Sequence, residues 1–361
     1  MVKGSMVFAV FFTLPLFSAF GQNPSQNRAG LNLYAGNIIA HTADIENTAN
    51  AVPAGVEMEF SRILADSNTR ETCNCAPTLG FRLGFTDYNN TVLGRGGHAA
   101  FFLRYNFLPD RRINPYLGGT VGLGFLNNPY NKNNNPGNQS YSLPVNAYLR
   151  AALGVEIRIS KRSALKTEIG FHHISNGGLA QPNRGINQPA LGLGYVFTPR
   201  PVALNINKVK KSQVKDRKGE TSLRVFLGGS GNAVDYGEKR RFAVVGVGLI
   251  GGLMLNNVNR LTLGTEWHYD GAHQHRIEAL NLRGNAHRAS LLAGHEFVLG
   301  KFILSQQAGL YLYDTARYHD LFYHRWGLSY RHKSNVYAEV NLKAHRHVAE
   351  FTEVRIGYFL R

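Results

Sequence analysis

A chain of 361 residues is too long for one small barrel and long enough for two domains or one large barrel. Hydrophobic residues make up 43 %, yet no run of about 18 apolar residues follows the first 20 positions, which excludes an ordinary helical membrane protein. The formal charge of +17 points to anionic partners, either nucleic acid or the phosphates of a lipid surface.

The chain opens with an export signal. Met1 to Ser5 carry Lys3, Met6 to Phe20 are apolar, and Ala19-Phe20-Gly21 is a small-x-small site, so cleavage is expected before Gln22. The apolar core is too short for an anchor helix, and no cysteine stands at the cleavage point to take a lipid. Export decides between the two anions in favour of lipid phosphates, and no nucleic-acid partner is expected. Cys73 and Cys75 are the only two cysteines. A bridge between residues two apart is strained, and two thiols do not make a metal site, so both are read as a loop feature.

The rest of the chain reads as strands. Its 39 Gly, 21 Phe and 17 Tyr fall in short alternating segments, as in barrels. Eight segments lie near 30–41, 53–63, 79–88, 93–107, 113–126, 144–160, 162–175 and 189–198. The clearest runs from Asn146 to Ile159. Ala147, Leu149, Ala151, Leu153, Val155, Ile157 and Ile159 share one face, and Arg150, Glu156 and Arg158 lie on the other. That segment exceeds the roughly 9–11 residues a tilted strand needs to cross a bilayer. Small residues such as Gly118, Thr120, Gly122 and Gly124 on the inward face of the 113–126 segment suit a narrow lumen filled by side chains.

From Pro199 to Glu220 the apolar content drops, and Lys208, Lys210, Lys211, Lys215, Arg217 and Lys218 form a basic linker. Eight further segments follow, near 222–234, 239–254, 259–270, 287–298, 300–313, 322–333, 335–347 and 350–360. Ser163 to Phe171 resembles Ser334 to Leu342, and each stretch leads to a final strand, Leu191 to Phe197 and Val354 to Leu360. The expectation is an all-β protein of antiparallel transmembrane β-barrels, two of eight strands in tandem, with one barrel of sixteen as the alternative. The expected division is a signal peptide at 1–21, a barrel at 22–198, a linker at 199–220 and a second barrel-like half at 221–361.

Residues 171–187 carry the chemistry. His173 and Ser175 are two apart and share the lipid-facing side with Leu165, Ile169 and Phe171, whereas Lys166, Glu168, Gly170 and His172 point inward. A His and a Ser together on a lipid-facing surface are costly without a purpose. With both ends of the first barrel periplasmic, its seventh strand runs outward and ends at the external surface. Ester hydrolysis needs a nucleophile, a base and oxyanion donors. Ser175 can be the nucleophile and His173 the base. Asn176, Asn183 and the amides of Gly177 and Gly178 are candidate donors.

The run His173-x-Ser175-Asn176-Gly177-Gly178-Leu179, followed by Gln181-Pro182-Asn183-x-Gly185-Ile186, resembles the lipid A 3-O-deacylase (PagL-like) family of outer-membrane esterases over roughly residues 30–198. The resemblance implies an eight-stranded barrel whose outer face holds a catalytic triad and removes the 3-O-linked hydroxyacyl chain of lipid A without a metal or other cofactor. It implies lipopolysaccharide as partner and the Gram-negative outer membrane as location. The family's acid follows the Gly-Ile pair, where this chain has Asn187. An amide can orient a His but cannot balance an imidazolium. In the serine-protease example the change from acid to amide costs about 10⁴ in kcat. Glu168 lies on the wrong face to replace it.

The second half lacks the site. Ala344 aligns with His173, and no Ser-Asn-Gly loop follows. His345 and His347 share the lumen face with Glu339 and Lys343, and His268, His273 and His275 are read as an exposed loop. Gly94-Arg-Gly-Gly and Gly228-Gly-Ser-Gly do not precede a helix and so do not read as phosphate loops. The expected function is a serine esterase acting on lipid A. The alternative is a catalytically weak or inactive barrel with a structural, lipid-binding or pore role.

Overall fold

The computed structural model describes residues 25–65, 69, 75–201, 220–230, 242–317, 320–332, 334–346 and 348–360. The expected signal peptide and the lysine-rich part of the linker lie outside the described residues. The first eight strands are β1 (Ser25–Gly36), β2 (Ala54–Leu64), β3 (Thr78–Asp87), β4 (Arg95–Asn106), β5 (Ile113–Leu126), β6 (Val145–Arg158), β7 (Ser163–Ser175) and β8 (Ile186–Phe197). The second eight are β9 (Glu220–Ser230), β10 (Phe242–Met254), β11 (Asn259–Asp270), β12 (His287–Leu299), β13 (Phe302–Asp314), β14 (Phe322–Arg331), β15 (Val336–His345) and β16 (Val348–Leu360).

Each set of eight closes on itself. β8 pairs antiparallel with β1, Leu33 opposite Leu193, and β16 pairs antiparallel with β9, Ile356 opposite Val225. Two eight-stranded barrels therefore stand where one of sixteen was the alternative. Closure leaves no strand edge unpaired, the condition for a sheet surrounded by lipid.

The alternation in the sequence becomes inside and outside. Along β6, Ala147, Leu149 and Leu153 face outward, and Asn146, Tyr148 and Arg150 are buried in the lumen. Outward Leu, Val and Phe side chains form the apolar wall, and the aromatics Tyr195, Tyr330 and Trp326 stand exposed among them. The lumens are packed with ion pairs. Glu59 meets Arg82, Arg104 and Lys166, Glu57 meets His98 and Arg150, and Arg150 also bonds Glu168. In the second barrel Glu266 holds Arg325 and Arg355, and Arg288 bridges Asp270 and Glu350. Buried charges are tolerated only when paired in this way.

Two expectations need correction. The first strand is shifted from 30–41 to Ser25–Gly36. Ile38 and Ile39 extend the apolar pattern, but they belong to the connection that follows. Ile38 packs over the lumen end with Tyr88, Leu93, Tyr141, Tyr148 and Ile174, and the chain then forms a 3-10 turn, Ala43–Thr48. His268, His273 and His275 are not in an exposed loop. His268 lies on β11 inside the lumen, and His273 is buried on a short helix, α1 (Gly271–Ala279). Asp270 starts that helix by accepting from the amides of Ala272 and His273. His345 does face the lumen, as expected. Cys75 is disulfide-bonded, and Cys73 lies outside the described residues.

Candidate active site

β7 and β8 meet in the loop 176–185, and the last residues of β7 sit opposite the first of β8. His173 is paired directly with Asn187, and Ile174 with Ile186. Directly opposed residues have Cβ atoms about 4.5–5.5 Å apart, within reach of a side-chain hydrogen bond. His173 and Ser175 then share the outer face through the strand period of two. The result is a hydrogen-bonded chain of three. Asn187 Oδ1 lies 2.7 Å from His173 Nδ1, and His173 Nε2 lies 3.0 Å from Ser175 Oγ. Ser175 is 7 % exposed and His173 is half-buried, so little water competes for these bonds. Phe171, one step below on the same face, is exposed on the apolar wall.

The imidazole needs room that only glycine leaves. Gly185 has φ +77°, and a Cβ there would stand 3.0 Å from His173 Cε1 and 3.2 Å from the Ile174 carbonyl. Gly177 and Gly178, with φ +64° and +83°, turn the chain sharply just after Ser175.

The loop holds itself in shape. The Asn176 amide donates to Asn183 Oδ1 at 2.9 Å, and Asn176 Nδ2 donates to the Ala180 carbonyl at 2.9 Å and to Ser142 Oγ at 3.3 Å. Asn176 Oδ1 accepts from the Gly178 amide at 3.1 Å. The Asn176 side chain and the Gly178 N–H are thus committed to the turn. Asn183 uses its Oδ1 as the acceptor in this turn, which leaves Nδ2 as the donor end of that amide. The Gly177 carbonyl accepts from Thr352 Oγ1 of β16 at 3.2 Å. Neighbouring Tyr141 donates its hydroxyl to the Leu93 carbonyl at 2.7 Å, and burial pushes its phenol up to about 12, so it remains a donor.

Glu168 is on the lumen side, bonded to Tyr116 Oη and Arg150, and does not reach His173. Among the described residues no carboxylate bonds His173, and no group of three or more His, Cys, Asp or Glu could hold a metal ion. Three residues near the site were missed from sequence. His41 Nδ1 lies 2.9 Å from Asn187 Nδ2, and Asp44 holds Arg184 at 2.5 Å. His41 and Asp44 lie in the β1–β2 connection, about 140 positions upstream of their partners, and no local pattern marks them. In the second barrel Ala344 is buried on the wall of β15, and β16 begins at Val348 with no equivalent of the loop 176–185.

Comparison with known proteins covers both halves. The model of the lipid A 3-O-deacylase (PagL) family matches residues 21–196, and that of the acyloxyacyl hydrolase C-terminal domain matches residues 220–361. The likeness therefore extends past residue 198, where the resemblance read from the sequence ended, into the second barrel. Similar solved structures include the outer membrane enzyme PagL (17 % identity, 46 % of this chain and 97 % of that one, TM-score 0.35). Neisserial surface protein A is another (10 % identity, 48 % and 98 %, TM-score 0.35). A third is the N-terminal β-barrel domain of Pseudomonas aeruginosa OprF (12 % identity, 48 % and 100 %, TM-score 0.29). No curated relative matches the chain. The chain belongs to the lipid A 3-O-deacylase (PagL) family.

Proposed function

We propose that this protein is an outer-membrane serine esterase that hydrolyses the 3-O-linked hydroxyacyl ester of lipid A. The observation that carries this reading is the chain Ser175 Oγ, His173 Nε2, His173 Nδ1, Asn187 Oδ1 on the outward wall of the first barrel, with links of 3.0 and 2.7 Å. Ser175 attacks the ester carbonyl, and its proton passes to His173 Nε2. The same nitrogen then gives that proton to the leaving 3-oxygen of lipid A, which departs as the alcohol. Water, deprotonated by His173, releases the hydroxy acid from Ser175. Asn183 Nδ2 and the Gly177 N–H serve as the oxyanion donors, since the Asn176 side chain and the Gly178 amide are occupied within the loop. The site lies on the external side, reached by β7 when both ends of the barrel are periplasmic. There the basic protein meets the phosphates of lipopolysaccharide. Residues 22–198 form the catalytic unit, 199–220 the linker and 221–361 a second barrel, among whose described residues no His-x-Ser-Asn-Gly loop recurs.

A second reading, a catalytically weak barrel, is favoured by one observation: the triad ends on an amide, not an acid. Mass spectrometry of lipid A incubated with the detergent-folded protein and with Ser175→Ala separates the two. The esterase removes one 3-hydroxyacyl chain only when Ser175 is present. Unchanged lipid A with correctly folded protein refutes the assignment.

A further inference from the structure

The serine esterase reading faces a specific difficulty at Asn187, and the inference below rests on that reading. A carboxamide has two nearly isosteric ends. A half-turn about its last torsion exchanges an acceptor oxygen for a donor NH₂. If NH₂ faced His173 Nδ1, that nitrogen would have to accept, and the ring proton would move to Nε2, against Ser175. The base would then have no lone pair for the serine proton. This tautomer fault is the reason given for the loss of about 10⁴ in kcat when an amide replaces the acid in the serine-protease example.

We propose that His41 is a positioning residue that keeps the Asn187 amide in its productive orientation. Asn187 Nδ2 donates to His41 Nδ1 at 2.9 Å, while Asn187 Oδ1 accepts from His173 Nδ1 at 2.7 Å. The two rings ask opposite things of one amide. His41 takes its NH₂, so its oxygen is left for His173. Flipping the amide forfeits both bonds unless both rings change tautomer together. A triad that ends on an acid needs no such device, because both carboxylate oxygens accept.

The fold holds His41 in place for this. The Ile39 amide donates to the Asn187 carbonyl at 2.9 Å, and the Asn37 amide donates to the Pro189 carbonyl at 3.1 Å, so the chain after β1 runs against β8. On the other side of His41, Asp44 binds Arg184 of the catalytic loop through Nε and Nη2, at 2.9 and 2.5 Å. Residues 37–44 are thus tied at both ends to the segment that carries Asn187. His41 and His173 are both half-buried, so the relay is partly shielded from water.

The test is a double-mutant cycle in the full-length, detergent-folded protein with lipid A in mixed micelles. His41→Ala lowers kcat about tenfold or more with KM changed less than about twofold in the Asn187 background. In the Asn187→Asp background the same change costs less than about twofold, because a carboxylate cannot present the wrong end. His41→Asn, which keeps an acceptor near the Nδ1 position, recovers most of the loss. ¹⁵N shifts of the His173 ring report the tautomer directly: Nδ1–H in the native protein, and a gain of Nε2–H in His41→Ala. An equal loss in both backgrounds, or an unchanged His173 tautomer in His41→Ala, overturns the proposal. A native protein inactive on lipid A refutes the esterase reading, and the tautomer measurement then still decides the role of His41 alone.

Discussion

His173 and Asn187 are a direct cross-strand pair, and the 2.7 Å bond between Nδ1 and Oδ1 sets the tilt of the imidazole toward Ser175. The pair is aligned as an acid triad would be but lacks the charge. An Asn187 oxygen can orient the ring and cannot stabilise the imidazolium that the proposed mechanism forms when Ser175 gives up its proton. Asn187→Asp replaces the amide by an isosteric carboxylate in the same register. It is expected to raise kcat by about 10- to 10³-fold, part of the roughly 10⁴ assigned to the acid in the serine-protease example. Steady-state release of the hydroxy acid measures it. No gain at all means that position 187 does not orient the base.

Ser175 and His173 act as one unit in the proposed mechanism, so their losses are expected not to add. Ser175→Ala and His173→Ala should each lower deacylation by about 10⁴-fold or more, and the double variant should be no worse than either alone. Both residues stand on the outer wall, away from the lumen ion pairs, so the barrel should still form. A double variant with a loss near the product of the single losses contradicts a shared proton path.

Much of this geometry follows from the strand period. β5 and β11 begin and end where the alternation begins and ends, and the inward Lys166, Glu168 and His172 are told from the outward Phe171 and His173 by parity alone. The β7–β8 register could not be read this way, since it depends on how the loop 176–185 closes, and with it the pairing of His173 and Asn187. His41 was invisible for a different reason. It reaches Asn187 across 146 positions through the closure of β1 on β8, and a single histidine in a loop carries no periodic signal. The helix after Asp270 was also missed. Gly-Ala-His-Gln-His-Arg is a weak helix start, and only the capping aspartate marks it.

Gly185 offers a test of the packing around the base. Its φ of +77° strains any residue with a Cβ, and that Cβ would press on His173 Cε1 from 3.0 Å. Gly185→Ala should cost about 1–2 kcal/mol of stability and lower kcat by a larger factor than Kd for lipid A, because the ring is displaced and the binding surface is not. The barrel's resistance to urea and a lipid A binding isotherm separate the two effects. Unchanged kcat means that the ring has room to move aside.

The lumens set the last expectation. Glu59 is buried in the first barrel with Lys166 at 2.7 Å, Arg104 at 3.0 Å and Arg82 at 3.4 Å. Together with Glu57, Arg150 and Glu168 these side chains fill the interior that an open pore would need. Glu59→Leu removes the shared anion and leaves three cations facing one another. The expected loss is about 3–5 kcal/mol, read from the urea midpoint of the vesicle-inserted protein. Because the charges fill the space as well as pair across it, the native protein should give no steady conductance in planar bilayers. A stable open channel in the native protein contradicts a filled lumen and revives a pore role.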